Sequence, residues 1–293
     1  MLEHLPHLLL CPPIYTNTNI KNNIWMRRLP EKERKIDVDK AMQQWFDMYS
    51  LLSNDALIYI LPPKRGLQDQ VYITNAGAVL PHLKKTVVLS NFRAKGRPGE
   101  ELELKNFITK LDYNIYGCPY YFEGEAELKW IRENIYVGGY GIRTEEKALD
   151  WISDKFGAKI IKIKESDPLR YHLDCSIFSI DTHKIMCPED IAEKKELEKI
   201  AECIYVSKKD SQFSITNCVR LGSIIYNATS IQEIEKDDKD YLPEKEKNEK
   251  LEKICRDIGL ELVFVNLSEF DKSGAALSCC ILHLTRIAYP SND

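Results

Sequence analysis

A chain of 293 residues, 44% hydrophobic and 29% charged, has the composition of a globular protein and is long enough to bury a sizeable core. Its net charge of −4 and pI near 6.0 supply no overall attraction for nucleic acid or an anionic membrane surface, and no run approaches the roughly 18 apolar residues that a spanning helix needs. Nine cysteines, single except for Cys279 and Cys280 and never spaced as CxxC, argue against a zinc site or a disulfide framework and point to a reducing, cytoplasmic compartment.

In chain order, the opening MLEHLPHLLLCPPIY carries a short apolar run stopped by Pro12 and Pro13, and is expected as a first core strand without an export signal. Helical composition or period then recurs at residues 38–53, 100–111, 144–156, 188–201 and 243–258, with Thr144 as a candidate cap and Pro188 in a first turn. Between these lie strand-like runs, among them LIYIL, VYITNAGAVL, TVVLSNF, YYFEGEAEL, NIYVGG, KIIKIK, YHLDCSIFSI, CIYVS, CVRLGSIIYN, ELVFV and AALSCCILHL. One helix alternating with two or three strands, five times over and without a residue-level repeat, predicts modules arranged around a centre. No Gly, Pro or Ser-rich linker divides the chain, so one domain over 1–293 is expected. The charged run EIEKDDKDYLPEKEKNEKLEK is expected as a solvated loop feeding the last helix.

Four places interrupt this apolar pattern with reactive or polar groups. Read as a strand, YHLDCSIFSID turns His172 and Asp174 to one face, which suits either a carboxylate satisfying a buried histidine or a site. In SGAALSCC, small residues ahead of Cys279 allow a ligand to approach its sulfur, although two core cysteines on opposite strand faces fit equally well. Glu123, between Phe122 and Gly124, is awkward in a core but suited to orienting an imidazole or gripping a cation. Asn75 breaks the strand VYITNAGAVL and reads as a site residue, a bulge or a turn.

At these residues the chain resembles the guanidino-group-modifying enzymes, the pentein superfamily that includes arginine deiminase, dimethylarginine dimethylaminohydrolase, arginine:glycine amidinotransferase and arginine dihydrolase. LLLCPP, NIWM, YITNAGAVL, SNFRAKGRPGE, FEGEAEL, YVGGYGIRT, YHLDCSIF and GAALSCC fall in that family's order nearly end to end. The resemblance implies a five-bladed α/β-propeller of ββαβ-like modules. It also implies Cys279 as nucleophile, His172 as general acid and base, Glu123 as the carboxylate positioning the histidine, and Asp174 as the aspartate that binds the guanidinium. Arg97 and Arg143 are implied as contacts for the substrate's carboxylate, and Asn23 as a polar residue of the pocket. Asn75 stands where deiminases carry aspartate, and its NAG form resembles the dihydrolases. Departures include Asn91 in SNFR, in place of an arginine, and alanines where the family carries glycines ahead of the nucleophile.

The expectation is a cysteine hydrolase of guanidino C–N bonds. It would take arginine, a methylarginine or agmatine as its small-molecule partner, require no metal or cofactor, and bind neither nucleic acid nor membrane. A homo-oligomer is compatible with the sequence. An amidinotransferase passing the amidino group to an amine is the alternative, and a non-catalytic propeller binding protein is the third reading.

Overall fold

The computed structural model describes residues 5–290, so the outermost residues of the domain expected over 1–293 lie outside it. Five three-stranded sheets form, each with one antiparallel and one parallel strand pair. Four of them are continuous in the chain. In chain order they are Gly77–Val79, Thr86–Leu89 and Asn114–Gly117; Leu128–Arg132, Ile135–Tyr140 and Lys159–Lys164; Phe178–Ser179, Lys184–Pro188 and Glu202–Val206; and Cys218–Leu221, Ile224–Thr229 and Glu261–Asn266. The fifth joins the two ends. His7–Leu10 pairs in parallel with Leu57–Ile60 and antiparallel with Leu282–His283, closing the ring.

In every sheet the middle and outer strands run parallel, so the chain must cross over between them, and a helix makes the crossing. The crossovers are Val38–Leu52, Glu100–Thr109, Glu146–Phe156, Lys194–Glu198 and Tyr241–Asp257. The fold is a five-bladed α/β-propeller of ββαβ modules, as the recurrence of helices in the sequence predicts.

Five apolar clusters occupy the five seams between neighbouring blades. Strand alternation supplies both seams from one strand. Leu8 and Leu10 pack toward Val219 and Tyr226 of the last blade, whereas Leu9 between them packs toward Val87 and Leu89 of the next. Likewise Tyr136 joins the cluster with Val88, and Val137 the one with Ile185. Being buried on both faces explains why the middle strands HLLL and TVVL read as unbroken apolar runs.

Three expectations are corrected. Residues 188–201 hold only the helix Lys194–Glu198, because Pro188 ends a strand and only Leu197 of that helix is buried. The Lys/Glu-rich composition favours helix, but it provides no wider apolar stripe to hold one. Thr144 does not cap the following helix: its Oγ1 accepts the Glu123 N–H at 3.2 Å, and the cap position is Glu145.

The third correction concerns the four polar-interrupted runs, which are not continuous strands. Each contains a 3₁₀ turn, Ile73–Ala76, Gly124–Glu127, Leu173–Cys175 or Ser278–Cys280, ahead of a short inner strand. A one-turn segment buried on all sides looks like strand in sequence, because its apolar neighbours show neither period. Among the described residues no helix is long and apolar enough to cross a membrane.

Candidate active site

The 3₁₀ turns converge at one end of the propeller's axis and carry the candidate residues there. Glu123 immediately precedes its turn, is fully buried, and is bonded from three sides. Its Oε1 accepts the Ala94 N–H at 3.1 Å, and its Oε2 accepts from Arg143 Nη1 at 2.9 Å and lies 2.7 Å from His172 Nε2. Burial pushes this carboxyl up, but the Arg143 and His172 contacts outweigh it and hold Glu123 well below the usual carboxylate range. Burial lowers His172, against the pull of Glu123, so a neutral imidazole donates Nε2–H to Glu123 and leaves Nδ1 for proton exchange. The Asn75 amide lies 3.4 Å from the same Nε2.

Backbone contacts hold these turns together. Gly124 adopts φ +65°, and a Cβ on it would stand 2.5 Å from the Thr74 carbonyl oxygen and 2.8 Å from the Asn75 carbonyl carbon. Only glycine lets the Glu123 and Asn75 turns approach so closely. Three residues after Gly124, Glu127 accepts the Leu173 N–H at 3.1 Å and ties the turn of Asp174 to the same element.

Cys279 lies on the opposite wall. Its Sγ is 3.5 Å from Asp174 Oδ2, which also accepts from Ser278 Oγ at 3.0 Å. Burial, and next the Asp174 charge, push the Cys279 thiol up to about 12, so it is protonated while the cleft is empty. Cys280 points away, toward the Ala276 carbonyl at 3.8 Å, and belongs to an apolar seam. The expected separation of the two sulfurs holds, although turn geometry and not strand alternation produces it.

Cys279, His172, Asn75, Asn23, Arg97 and Arg143 all line one narrow cleft, with Glu123 behind His172 and Asp174 against the sulfur. Asn23 caps the helix Ile24–Arg28 through Oδ1, and its amide donates to the Ser273 carbonyl at 2.8 Å. Arg97 forks onto Glu100 and also donates to the Tyr72 carbonyl at 3.0 Å. Arg143 spans Glu123 and the Asn22 carbonyl, with its guanidinium 4.9 Å from the centre of the Tyr171 ring.

Two further residues belong to this site. Asn217 donates Nδ2 to Cys279 Sγ at 3.5 Å and accepts the Ser278 N–H at 2.7 Å. It sits ahead of its inner strand as Asn75 does, and the tripeptide Ile-Thr-Asn at 73–75 recurs at 215–217, a short internal repeat that marks it in sequence. Asp69 lines the cleft fully buried, with Oδ1 unpartnered among the described residues and Oδ2 accepting from Asn22 Nδ2 at 2.5 Å. Burial raises its carboxyl. No local pattern announces Asp69. Among the described residues no cluster of His, Cys, Asp and Glu has the arrangement to hold a metal ion.

No protein-family model matches the chain. Over 280 residues it is 25% identical to the bifunctional arginine dihydrolase/ornithine cyclodeaminase AgrE of Nostoc sp., covering 94% of this chain and 37% of that protein. Over 280 residues it is also 25% identical to the N(G),N(G)-dimethylarginine dimethylaminohydrolase of Mycobacterium tuberculosis, covering 94% of this chain and 84% of that one. The match to ArgZ of Synechocystis sp., a second dihydrolase/cyclodeaminase, is 29% identical over 57% of this chain and spans 23% of that protein, so both bifunctional relatives are much longer than the matched region. Among solved structures, the substrate-bound N-terminal domain of ArgZ superposes with a TM-score of 0.82 at 24% identity, covering 96% of this chain and 98% of that domain. A dimethylarginine dimethylaminohydrolase adduct superposes with a TM-score of 0.73 at 15% identity, covering 95% and 99%. The chain is thus similar along nearly its whole length to an arginine dihydrolase and a dimethylarginine dimethylaminohydrolase, both guanidino-group-modifying enzymes, and shares their five-bladed fold.

Proposed function

We propose that this chain is a cysteine-dependent hydrolase of guanidino C–N bonds that acts on arginine or a close derivative. One juxtaposition carries the reading: a cysteine sulfur 3.5 Å from a buried carboxylate shares a cleft with a histidine held at 2.7 Å by a second buried carboxylate. A guanidinium is planar, cationic and a poor electrophile, so it must be gripped by acceptors while a thiolate attacks its central carbon. Asp174 supplies a charged acceptor and Asn75 a neutral one. Burial and next the Asp174 charge keep the thiol protonated, and the entering cation offsets the second of these, which favours the thiolate when substrate is present.

As His172 Nδ1 takes up the thiol proton, attack forms the S–C bond of a thiouronium, and the C–N bond breaks as His172 delivers that proton to the departing amine. His172 then takes a proton from water as it attacks the same carbon, and the S–C bond breaks. In the same cleft, the unpartnered Asp69 oxygen suits the α-ammonium of an amino acid, with the charges of Arg97 and Arg143 near it for the carboxylate. Residues 1–293 act as one catalytic domain, a reading supported by the apolar seams that continue between all five blades. Nine cysteines, all free, fit a reducing cytoplasm.

Asn75 sets the number of steps. An aspartate there would add a second negative charge and favour a cation over a neutral ureido product, whereas Asn75 lets that product stay bound for a second attack. Arginine is then taken to ornithine, ammonia and carbon dioxide. The test is mass spectrometry on a panel of guanidino compounds without added amine, together with the ammonia released per labelled arginine. A ratio of about two follows from two hydrolyses of this mechanism, whereas about one with citrulline accumulating overturns the two-step reading. Product that forms only with an amine acceptor overturns hydrolysis itself.

A further inference from the structure

Beyond the turns that form the cleft, the inner strands border a second, partly open cavity along the propeller axis. Its walls come from Leu128–Arg132, Phe178–Ser179, Cys218–Leu221 and Leu282–His283, and residues 286–289 border it. Ser278 and Thr216 line it and also separate it from the catalytic end: Ser278 Oγ donates to Asp174 Oδ2 at 3.0 Å and Thr216 Oγ1 to the Asp174 carbonyl at 3.3 Å.

The charged groups lining this cavity are Glu125, Lys129, Asp181, Arg220 and Arg286. Glu125 is taken by Arg286 and, at 2.7 Å, by His283 Nδ1. Arg220 lies 4.0 Å from Asp181, donates to the Ile180 carbonyl at 2.9 Å and stacks on Tyr289. That leaves Lys129. It is 8% exposed, and among the described residues its ammonium has no hydrogen-bond or ion-pair partner. Glu125, already committed to Arg286 and His283, is the carboxylate whose charge reaches Lys129, and an anion in the cavity would give the ammonium the hydrogen-bond partner it lacks.

We propose that the axial cavity is a binding site for a small oxyanion, such as phosphate, bicarbonate or a short carboxylate, held by Lys129. The site is separate from the guanidino cleft but reaches Ser278, next to the nucleophile. Its occupant would offset the Lys129 charge that favours the Cys279 thiolate, which gives the cell's anion pool a route to the thiol's reactivity.

The test is calorimetric titration of the full chain with inorganic phosphate, bicarbonate and formate in turn. This readout does not depend on turnover, so it stands or falls separately from the catalytic proposal. At least one of the three is expected to bind saturably at one equivalent. Its affinity should fall at least tenfold in Lys129→Met and stay unchanged in Lys253→Met, an exposed lysine of the helix Tyr241–Asp257. Failure of all three to bind, or equal affinity in Lys129→Met, overturns the site. Should Lys129→Met not fold, bromide soaked into wild-type crystals reads the same position: an anomalous peak within hydrogen-bonding distance of Lys129 Nζ supports the proposal, and its absence refutes it.

Discussion

Asp174→Asn separates two effects that the cleft combines. The carboxylate grips the substrate, yet 3.5 Å from the sulfur it also opposes the thiolate. A unit charge at that distance interacts with a thiolate by about 5 kcal/mol at an effective dielectric constant of about 20. Burial carries the larger share of the rise of Cys279 to about 12, so the part that Asp174 contributes is smaller, about one to two pKa units. Removing the charge raises the thiolate fraction at pH 8 by roughly ten- to a hundredfold. The lower basicity of the sulfur gives back about half of that on a logarithmic scale, leaving a net gain of roughly three- to tenfold in intrinsic reactivity. The assay is iodoacetamide alkylation of the substrate-free protein, with the Cys279 peptide quantified by mass spectrometry to separate it from the other eight cysteines. Faster alkylation of Cys279 together with lost turnover is the expected pair of results. Alkylation of a folded Asp174→Asn at or below the wild-type rate refutes the claim that this carboxylate holds the thiol protonated.

Cys279→Ser should abolish turnover and Cys280→Ser should leave most of it, since only the first sulfur lines the cleft; equal loss in two folded variants rules out the assignment. Gly124→Ala should cost about 1–3 kcal/mol in urea denaturation and also lower kcat, because a left-handed residue gains a Cβ against the Thr74 carbonyl; a loss under about 0.5 kcal/mol would show that the two turns can separate freely. Glu165 is buried with Oε1 unpartnered and is pushed up by burial to about 8, so the folded protein holds a proton there that the unfolded chain has released. Its contribution is complete below the unfolded pKa and is lost as pH rises toward about 8, at up to about 1.4 kcal/mol per pH unit. Denaturation midpoints compared at pH 6 and pH 8 should therefore fall less in Glu165→Gln than in wild type, and an unchanged difference would contradict this.

Local pattern carried the fold a long way. Five helical segments at even intervals, with apolar runs between them, are enough to predict five modules, because both the helical period and the two-sided burial of the middle strands are written in neighbouring residues. The helix at Val38–Leu52 begins where the apolar period begins, and the one at Tyr241–Asp257 starts two residues ahead of the expected 243. The segment 188–201 failed for the converse reason, since composition without an apolar stripe does not hold a helix.

The site was legible only in part. Cys279, His172, Glu123 and Asn75 stood out because each breaks an apolar run, but what they break proved to be a turn. Asn217 was readable in principle, through the recurring Ile-Thr-Asn, whereas Asp69 was not readable at all.

The sequence by itself determined the modules, their α/β character and the residue types able to attack and protonate a guanidino group, because these depend on interactions within about one element's length. Tertiary structure alone decided which of those residues meet. Cys279 reaches Asp174 across 105 positions of chain, and Glu123 reaches His172 across 49. The first and last strands close the ring through contacts that no local window contains. Burial, which only the closed ring creates, sets the protonation of Cys279 and His172, and it leaves Lys129 in the axial cavity without a hydrogen-bond partner among the described residues.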